Sequence, residues 1–321
     1  MKNIALACAL AACAVITPVH AQKSYPEKPV RVIVGFPPGQ ATDEITRRLA
    51  QRLGENMGQP FVVENRPGSG ASMAAELVAR AQPDGYTLLA SSSGPLTING
   101  WIYTSLRYDP KTDFAPIAPI SAAPLVLVVN AASSYQTAQG FIESAKAAPG
   151  DLNYGSGGNG VTNHLVMEML MDAAGLDIAH VPYKGGVAAM SDLVGNQIDA
   201  MFEVVSVADP LIKQGRLRAL AVSGEERVSI LPDVPTLQEL GYPVRGVPWS
   251  GILAPVGTPP GILDALHREI SAIVDSPQWQ AETRQRGSTT LRMSRQAFAD
   301  FIAADIERWG VAVREAGVQL N

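Results

Sequence analysis

Two glycine-rich turns, Phe36-Pro-Pro-Gly-Gln-Ala-Thr-Asp43 and Gly155-Ser-Gly-Gly-Asn-Gly160, each follow a short apolar run and lead into an amphipathic helix. A strand that passes through such a turn into a helix start leaves unpaired N–H groups pointing at one spot, which suits an anion. In the first turn, Phe36 reads as an apolar wall, and Gly39, Gln40 and Thr42 supply groups that face a ligand. Asp43 has two readings: a direct contact, or an acid that suits the dipole of the first helical turn. In the second turn, Ser156, Asn159 and Thr162 donate beside the main chain. Two cradles about one domain apart imply one acid held between two lobes.

Other polar groups follow strand ends. Ser91, Ser92 and Ser93 come after the strand Tyr86–Ala90 and bring hydroxyls. Lys184, in Tyr183-Lys-Gly-Gly186, offers a cation for a carboxylate or for a surface acid. Glu203 ends the strand Ile198–Phe202 and can accept from a ligand amino or hydroxyl group, or face a second carboxyl that brings a proton. Buried without a partner it would be costly. His164 falls in the first turn of the helix after the second cradle, where it caps the loop or reaches the ligand.

Two rival chemistries are weaker. Gly155 to Gly160 satisfies G-x-G-x-x-G, so nicotinamide-dependent catalysis is the alternative from a different class; however, the strand Leu152–Tyr154 is short and Asp177 precedes the next strand rather than ending it. His164 and Glu168 form an i, i+4 pair, but a catalytic zinc takes three protein ligands and no third is in view. After a leader is removed, the only histidines are His164, His180 and His267, none with a visible Ser and Asp constellation. The reading is a binding protein without catalytic residues, cofactor or metal.

The positioning elements alternate. Val30–Gly35, Phe61–Glu64, Tyr86–Ala90, Leu125–Val129, His180–Tyr183, Ile198–Phe202 and Leu217–Val222 read as short buried strands with helical periods between them. This defines an α/β protein with largely parallel sheets, whose ligand sits beyond the carboxyl ends of the strands. The Pro-punctuated segments 116–129 and 247–255 read as crossings between lobes. The division is then residues 24–124 plus 250–321 for one lobe and 125–249 for the other, with two crossovers acting as a hinge.

Residues 1–21 carry a basic start, an apolar centre and a small-residue exit, the pattern of a cleaved secretory signal peptide. Leu10-Ala-Ala-Cys13 also matches the pattern before a lipid-modified cysteine. Both cysteines, Cys8 and Cys13, lie inside this leader, so the exported body forms no disulfide. Without Lys2 the chain has 24 basic and 30 acidic residues and no basic cluster, which argues against nucleic acid as a partner. No later segment reaches the roughly 20 apolar residues of a membrane span.

The mature sequence resembles the periplasmic solute-binding proteins of tripartite tricarboxylate transporters, the Bug or TctC family. The likeness is carried by Tyr25-Pro-Glu-Lys-Pro29, Phe36-Pro-Pro-Gly39 with Thr42-Asp43, Val63-Glu-Asn-Arg-Pro-Gly68 and Pro83-Asp-Gly-Tyr-Thr-Leu-Leu89. It continues through Tyr108-Asp-Pro110, Asp113-Phe114, His164-Leu165, His180-Val-Pro-Tyr-Lys-Gly185, Leu217-Arg-Ala-Leu-Ala-Val222, Leu231-Pro-Asp-Val-Pro-Thr236 and Ala254-Pro-Val-Gly-Thr-Pro259. The resemblance implies a two-lobed clamshell of type II-like architecture, monomeric in the periplasm. Such a protein captures a small carboxylate and passes it to the transporter's membrane subunits, or reports it to a receptor kinase. Family members usually carry a second glycine where this chain has Gln40, and Asp or a small polar group where it has Glu203. Gln40 is therefore expected to tune specificity.

Overall fold

The computed structural model describes residues 25–315. The leader, with Cys8 and Cys13, lies outside them. Among the described residues, eleven strands form two mixed sheets. The first contains β1 (Val30–Val34), β2 (Phe61–Asn65), β3 (Thr87–Ser92), β4 (Phe114–Ala122), β10 (Trp249–Pro255) and β11 (Thr289–Thr290), in the order β11-β4-β10-β3-β1-β2. The second contains β5 (Leu125–Asn130), β6 (Asn153–Ser156), β7 (Ala179–Pro182), β8 (Ala200–Val204) and β9 (Leu217–Val222), in the order β7-β6-β8-β5-β9.

The expectation of largely parallel sheets needs correction. β1 pairs parallel with β2 and β3, and β6 with β7 and β8. The segments expected to cross between lobes as strands do form strands, but they pair antiparallel. β10 lies between β3 and β4, while β5 lies between β8 and β9. Pro116 and Pro119 are tolerated inside β4 because the β4–β10 register shifts near both.

Each sheet carries its own core. Val30, Val32 and Val34 pack with Leu49 of the helix Ala41–Met57 and with Leu266, Ile270 and Trp279. Leu127, Val129, Phe141, Tyr154, Leu170 and Phe202 form the other core. The helix Arg295–Glu315 joins them. Its Phe298, Ile302 and Ile306 pack with the first sheet's residues, whereas Trp309 and Val313 reach the second core.

The two sheets are linked by direct chain passage, from β4 through Ala123 and Pro124 into β5, and again by residues 223–248 leading to β10. Across the gap, Ser93 Oγ and Thr162 Oγ1 are 3.0 Å apart, and the Tyr103 hydroxyl donates to the Asn159 carbonyl at 3.0 Å. Pro37 packs against Gly185, where an added Cβ would meet the proline ring at 2.7 Å. These contacts close the space between the two glycine turns into a cavity.

Candidate functional site

The cavity between the sheets has a volume of about 60 Å³. One buried water needs about 10–15 Å³ of such space, so the cavity suits a small molecule. Phe36, Gln40, Thr42 and Ser92 line it from the side of the first sheet. Gly157, Thr162, Asn163, Gly186 and Glu203 line it from the second. Leu125, Val204 and Pro248 complete the lining.

Gln40 is the N-cap of the helix Ala41–Met57 and follows Gly39, whose φ of 84° provides the turn. Its side chain does not cap its own helix. It reaches across the gap, and with the amide oriented to satisfy its neighbours the oxygen accepts from Gly186 N–H at 3.2 Å and Val187 N–H at 2.8 Å. Those groups open the helix Gly186–Val194, so a residue of one lobe caps a helix of the other. This contact was not legible in the sequence, because cap chemistry is sought locally and Gln40 is distant from Gly186 along the chain.

Glu203 is 1% exposed and lies within β8. Its Oε1 accepts from Val204 N–H at 2.7 Å, and the Gln40 side-chain amide is its hydrogen-bonding neighbour from the other sheet. Burial pushes the carboxyl up to about 7, against the pull of the Val204 N–H and the Gln40 amide. Glycine at 186 leaves room for it, since a Cβ there would overlap Oε2.

Five of the expected side chains meet at this cavity besides Phe36's apolar ring: Gln40, Thr42, Ser92, Thr162 and Glu203. Others go elsewhere for identifiable reasons. Gly39 N–H donates to Asp43 Oδ2 at 3.0 Å, and Asp43 also accepts from Asn65 and Arg47. Burial opposes ionisation of Asp43, but these bonds outweigh it and hold its carboxyl below the usual range. Asp43 therefore braces the turn rather than lining the cavity. β3 runs two residues further than expected, so Ser91 and Ser92 alternate in direction and only Ser92 faces the cavity. Ser93 is fully buried and bonded to Thr162. Lys184 is exposed and lies outside the lining.

Ser156, Asn159 and His164 lie behind the second cradle. Ser156 Oγ bonds His180 Nε2 at 2.7 Å and also meets Gly158, and Asn159 presents its carbonyl to Tyr103. His164 Nδ1 accepts from Gly160 N–H at 3.3 Å, and its ring stacks on His180 at 4.1 Å, with Tyr154 beyond. The Tyr154 hydroxyl donates to Glu168. Burial, and for His164 the neighbouring His180, hold both imidazoles well below their usual range. This neutral stack supports the loop; it does not enter the cavity.

The glycines of the G-x-G-x-x-G pattern have packing duties. A Cβ at Gly155 would overlap Ile198, and one at Gly160, where φ is 78°, would meet Asn99 Oδ1 at 2.9 Å. Asn163 and Gly186 are lining residues that the sequence reading missed. The first sits beside Thr162 in the same helical turn, and a search extended by one position would have found it.

Arginine comes nearest in an adjoining chamber of about 50 Å³, which shares Ala41, Thr42, Ser92, Val204 and Pro248 with the main cavity. There Arg48 is held by Glu282 at 2.7 Å and Arg286 by Glu44 at 3.1 Å. A larger cavity of about 680 Å³ lies behind the crossing strands, bordered by Arg227, Arg245, Arg284 and Arg308 together with Trp249 and Phe301. Its polar groups largely pair among themselves, as with Arg245 and Glu225 or Arg308 and Asp305. Among the described residues there is no group of His, Cys, Asp and Glu able to hold a metal, and no helix is long and apolar enough to cross a membrane.

Two sheets closing on a cleft of neutral donors and helix starts define a two-lobed solute-binding protein of the α/β clamshell type. The family model described as tripartite tricarboxylate transporter family receptor, TctC, matches residues 45–318, and the chain belongs to this family. Protein BugT of Bordetella pertussis is 36% identical over 97% of this chain and 96% of its own length. A protein of R. palustris solved with adipate superposes with a TM-score of 0.90 at 32% identity, covering 92% of this chain and 99% of that one. MatC of Rhodopseudomonas palustris, solved with bound malate, gives 0.85 at 29% identity, over 90% of this chain and all of the other.

Proposed function

We propose that this protein is a periplasmic receptor that captures a small organic acid between its lobes and delivers it to the membrane subunits of a tripartite tricarboxylate-type transporter. The observation that carries the reading is the meeting of two helix starts, at Gln40–Thr42 and Val161–Asn163, on one cavity from opposite sheets. The relatives solved with adipate and malate support a carboxylate as the cargo. In this reading Gln40, Thr42, Ser92, Thr162, Asn163 and Glu203 hold the ligand polar groups and Phe36 walls the site. The lobes are 24–124 plus 250–321 and 125–249, and they open about residues 116–129 and 247–255. The receptor acts as a monomer, without a cofactor and without catalysis, and the leader at residues 1–21 directs its export.

Closure follows from ligand contacts made to both lobes, which stabilise the closed state over the open one. Helix ends contribute about 0.3–2 kcal/mol each and hydrogen bonds about 1 kcal/mol each, so several together can approach the roughly 8 kcal/mol of micromolar binding. The test is a melting-temperature screen against adipate, malate, aromatic acids, tricarboxylates and acidic amino acids, with NAD(H) as the counter-ligand. A shift with an acid and none with NAD(H) is expected. Unchanged binding after separate replacement of Gln40, Thr162 and Glu203 would remove this cavity as the site.

A further inference from the structure

Among the described residues, Glu203 is the one ionisable side chain that lines the cavity. Val126 of β5 stands opposite it in the sheet, and the helix Gly186–Val194 presents only its glycine start, the Asp192 of that helix being bonded to the Tyr183 hydroxyl. From the helix Ala41–Met57, Asp43 is bound by Arg47 and Asn65, and Glu44 pairs with Arg286. Arg48 of the same helix pairs with Glu282, on the far side of Thr42. From the helix Thr162–Ala174, His164 and Glu168 turn into the stack behind the loop. Next along the chain, Asp209 pairs with Lys213 at 2.7 Å. Lys184, exposed in the loop before Gly186, lies outside the lining, so among the described residues no lining cation faces the Glu203 carboxyl.

Resting on the reading of the site as a carboxylate receptor, we propose that ligand capture is coupled to uptake of one proton by Glu203, which then meets the bound acid as a neutral O–H donor. Two carboxylates confined in this cavity without a cation cannot both stay ionised at low cost; paired acids in such a site share a proton. The proton comes from solvent and adds to the carboxylate, with no bond to the ligand formed or broken. Oε2, which lies against Gly186 at the cavity wall, supplies the position for it. The free carboxyl already titrates at about 7, so a nearby anion moves it further into the protonated form near neutrality. The chemical class of cargo is thus a small acid whose end facing Glu203 accepts a hydrogen bond, rather than one that presents an ammonium there.

The test is calorimetric titration of the full mature protein with adipate and with malate in buffers of different ionisation enthalpy. Both acids are fully ionised from neutral pH upward, so any proton taken up lands on the protein. About one proton per bound acid is expected above about pH 8, with affinity falling roughly tenfold per pH unit there. Glu203→Gln, which keeps a donor without titrating, is expected to bind with no such slope. Binding without proton uptake overturns the proposal and leaves the receptor reading standing. So does a slope that persists in Glu203→Gln. Absence of binding by both acids down to about pH 6, while another class of ligand shifts melting, overturns the receptor reading and this proposal with it. The wild-type proton count decides the matter even if the variant fails to fold.

Discussion

Gly186 and Glu203 occupy one another's space: the carboxyl lies where any side chain at residue 186 would begin. Gly186→Ala is therefore expected to destabilise the protein by about 1–3 kcal/mol, the range for overpacking a buried site. In a Glu203→Ala background the cost should shrink, because the obstructing oxygen is gone. Urea denaturation of the two single variants and the double variant checks this. Strictly additive losses would contradict the contact.

The bridge from Gln40 to the N–H groups of Gly186 and Val187 joins the first turn to a helix of the second sheet. Gln40→Ala leaves those donors without their cap, and roughly tenfold weaker binding of a responding acid is expected. The melting temperature of the free protein should fall by a few degrees, as for a lost helix cap of about 1 kcal/mol. Tighter binding would show instead that Gln40 competes with the ligand for the helix start.

The histidine stack makes an acid-sensitive element. His164 and His180 are held neutral by burial, so below their ordinary value of 6.5 the unfolded chain binds protons that the folded chain refuses. Stability is then lost as pH falls through about 6.5 to 4, by up to roughly 1.4 kcal/mol per pH unit for each histidine. Glu203 works in the opposite sense, since its raised value lets the folded state hold a proton from about pH 4.5 up to about 7. With two histidines against one carboxyl, the net slope is expected to favour neutral pH. Urea midpoints measured across this range should show a smaller acid loss in His180→Gln than in the wild type. An equal loss would remove the stack as its source.

Recognition by neutral donors and helix ends gives weak dependence on salt. Affinity for a responding acid is expected to change by less than about threefold between low and near-molar ionic strength, because the contacts are buried from the screening solution. Titration at several salt concentrations checks it. A steep decline would point to an arginine pair, such as Arg48 and Arg286 of the adjoining chamber, as the anchor.

Much of the frame could be read from the sequence because its strands are apolar runs bounded by turn residues. Val30–Val34, Phe61–Asn65 and Leu217–Val222 appear almost at their expected limits. β4 and β10 were harder, since their prolines mask a pairing that the register shifts accommodate. The cleft was legible where a side chain lies directly on a strand end or helix start, as with Thr42, Thr162 and Glu203. It was obscure where polar side chains stabilise the turn itself. Asp43, Ser156 and His164 have the same residue types and spacing as ligands, but their hydrogen bonds run inward.

A crystal structure with the acid that gives the largest melting shift tests the cleft most directly. The expected result is a carboxylate between Thr42 and Ser92 on one side and Thr162 and Asn163 on the other, with Glu203 within hydrogen-bond reach. An acid seated instead in the arginine-bordered cavity behind the crossing strands, with the space around Gln40 and Glu203 unchanged, would contradict it.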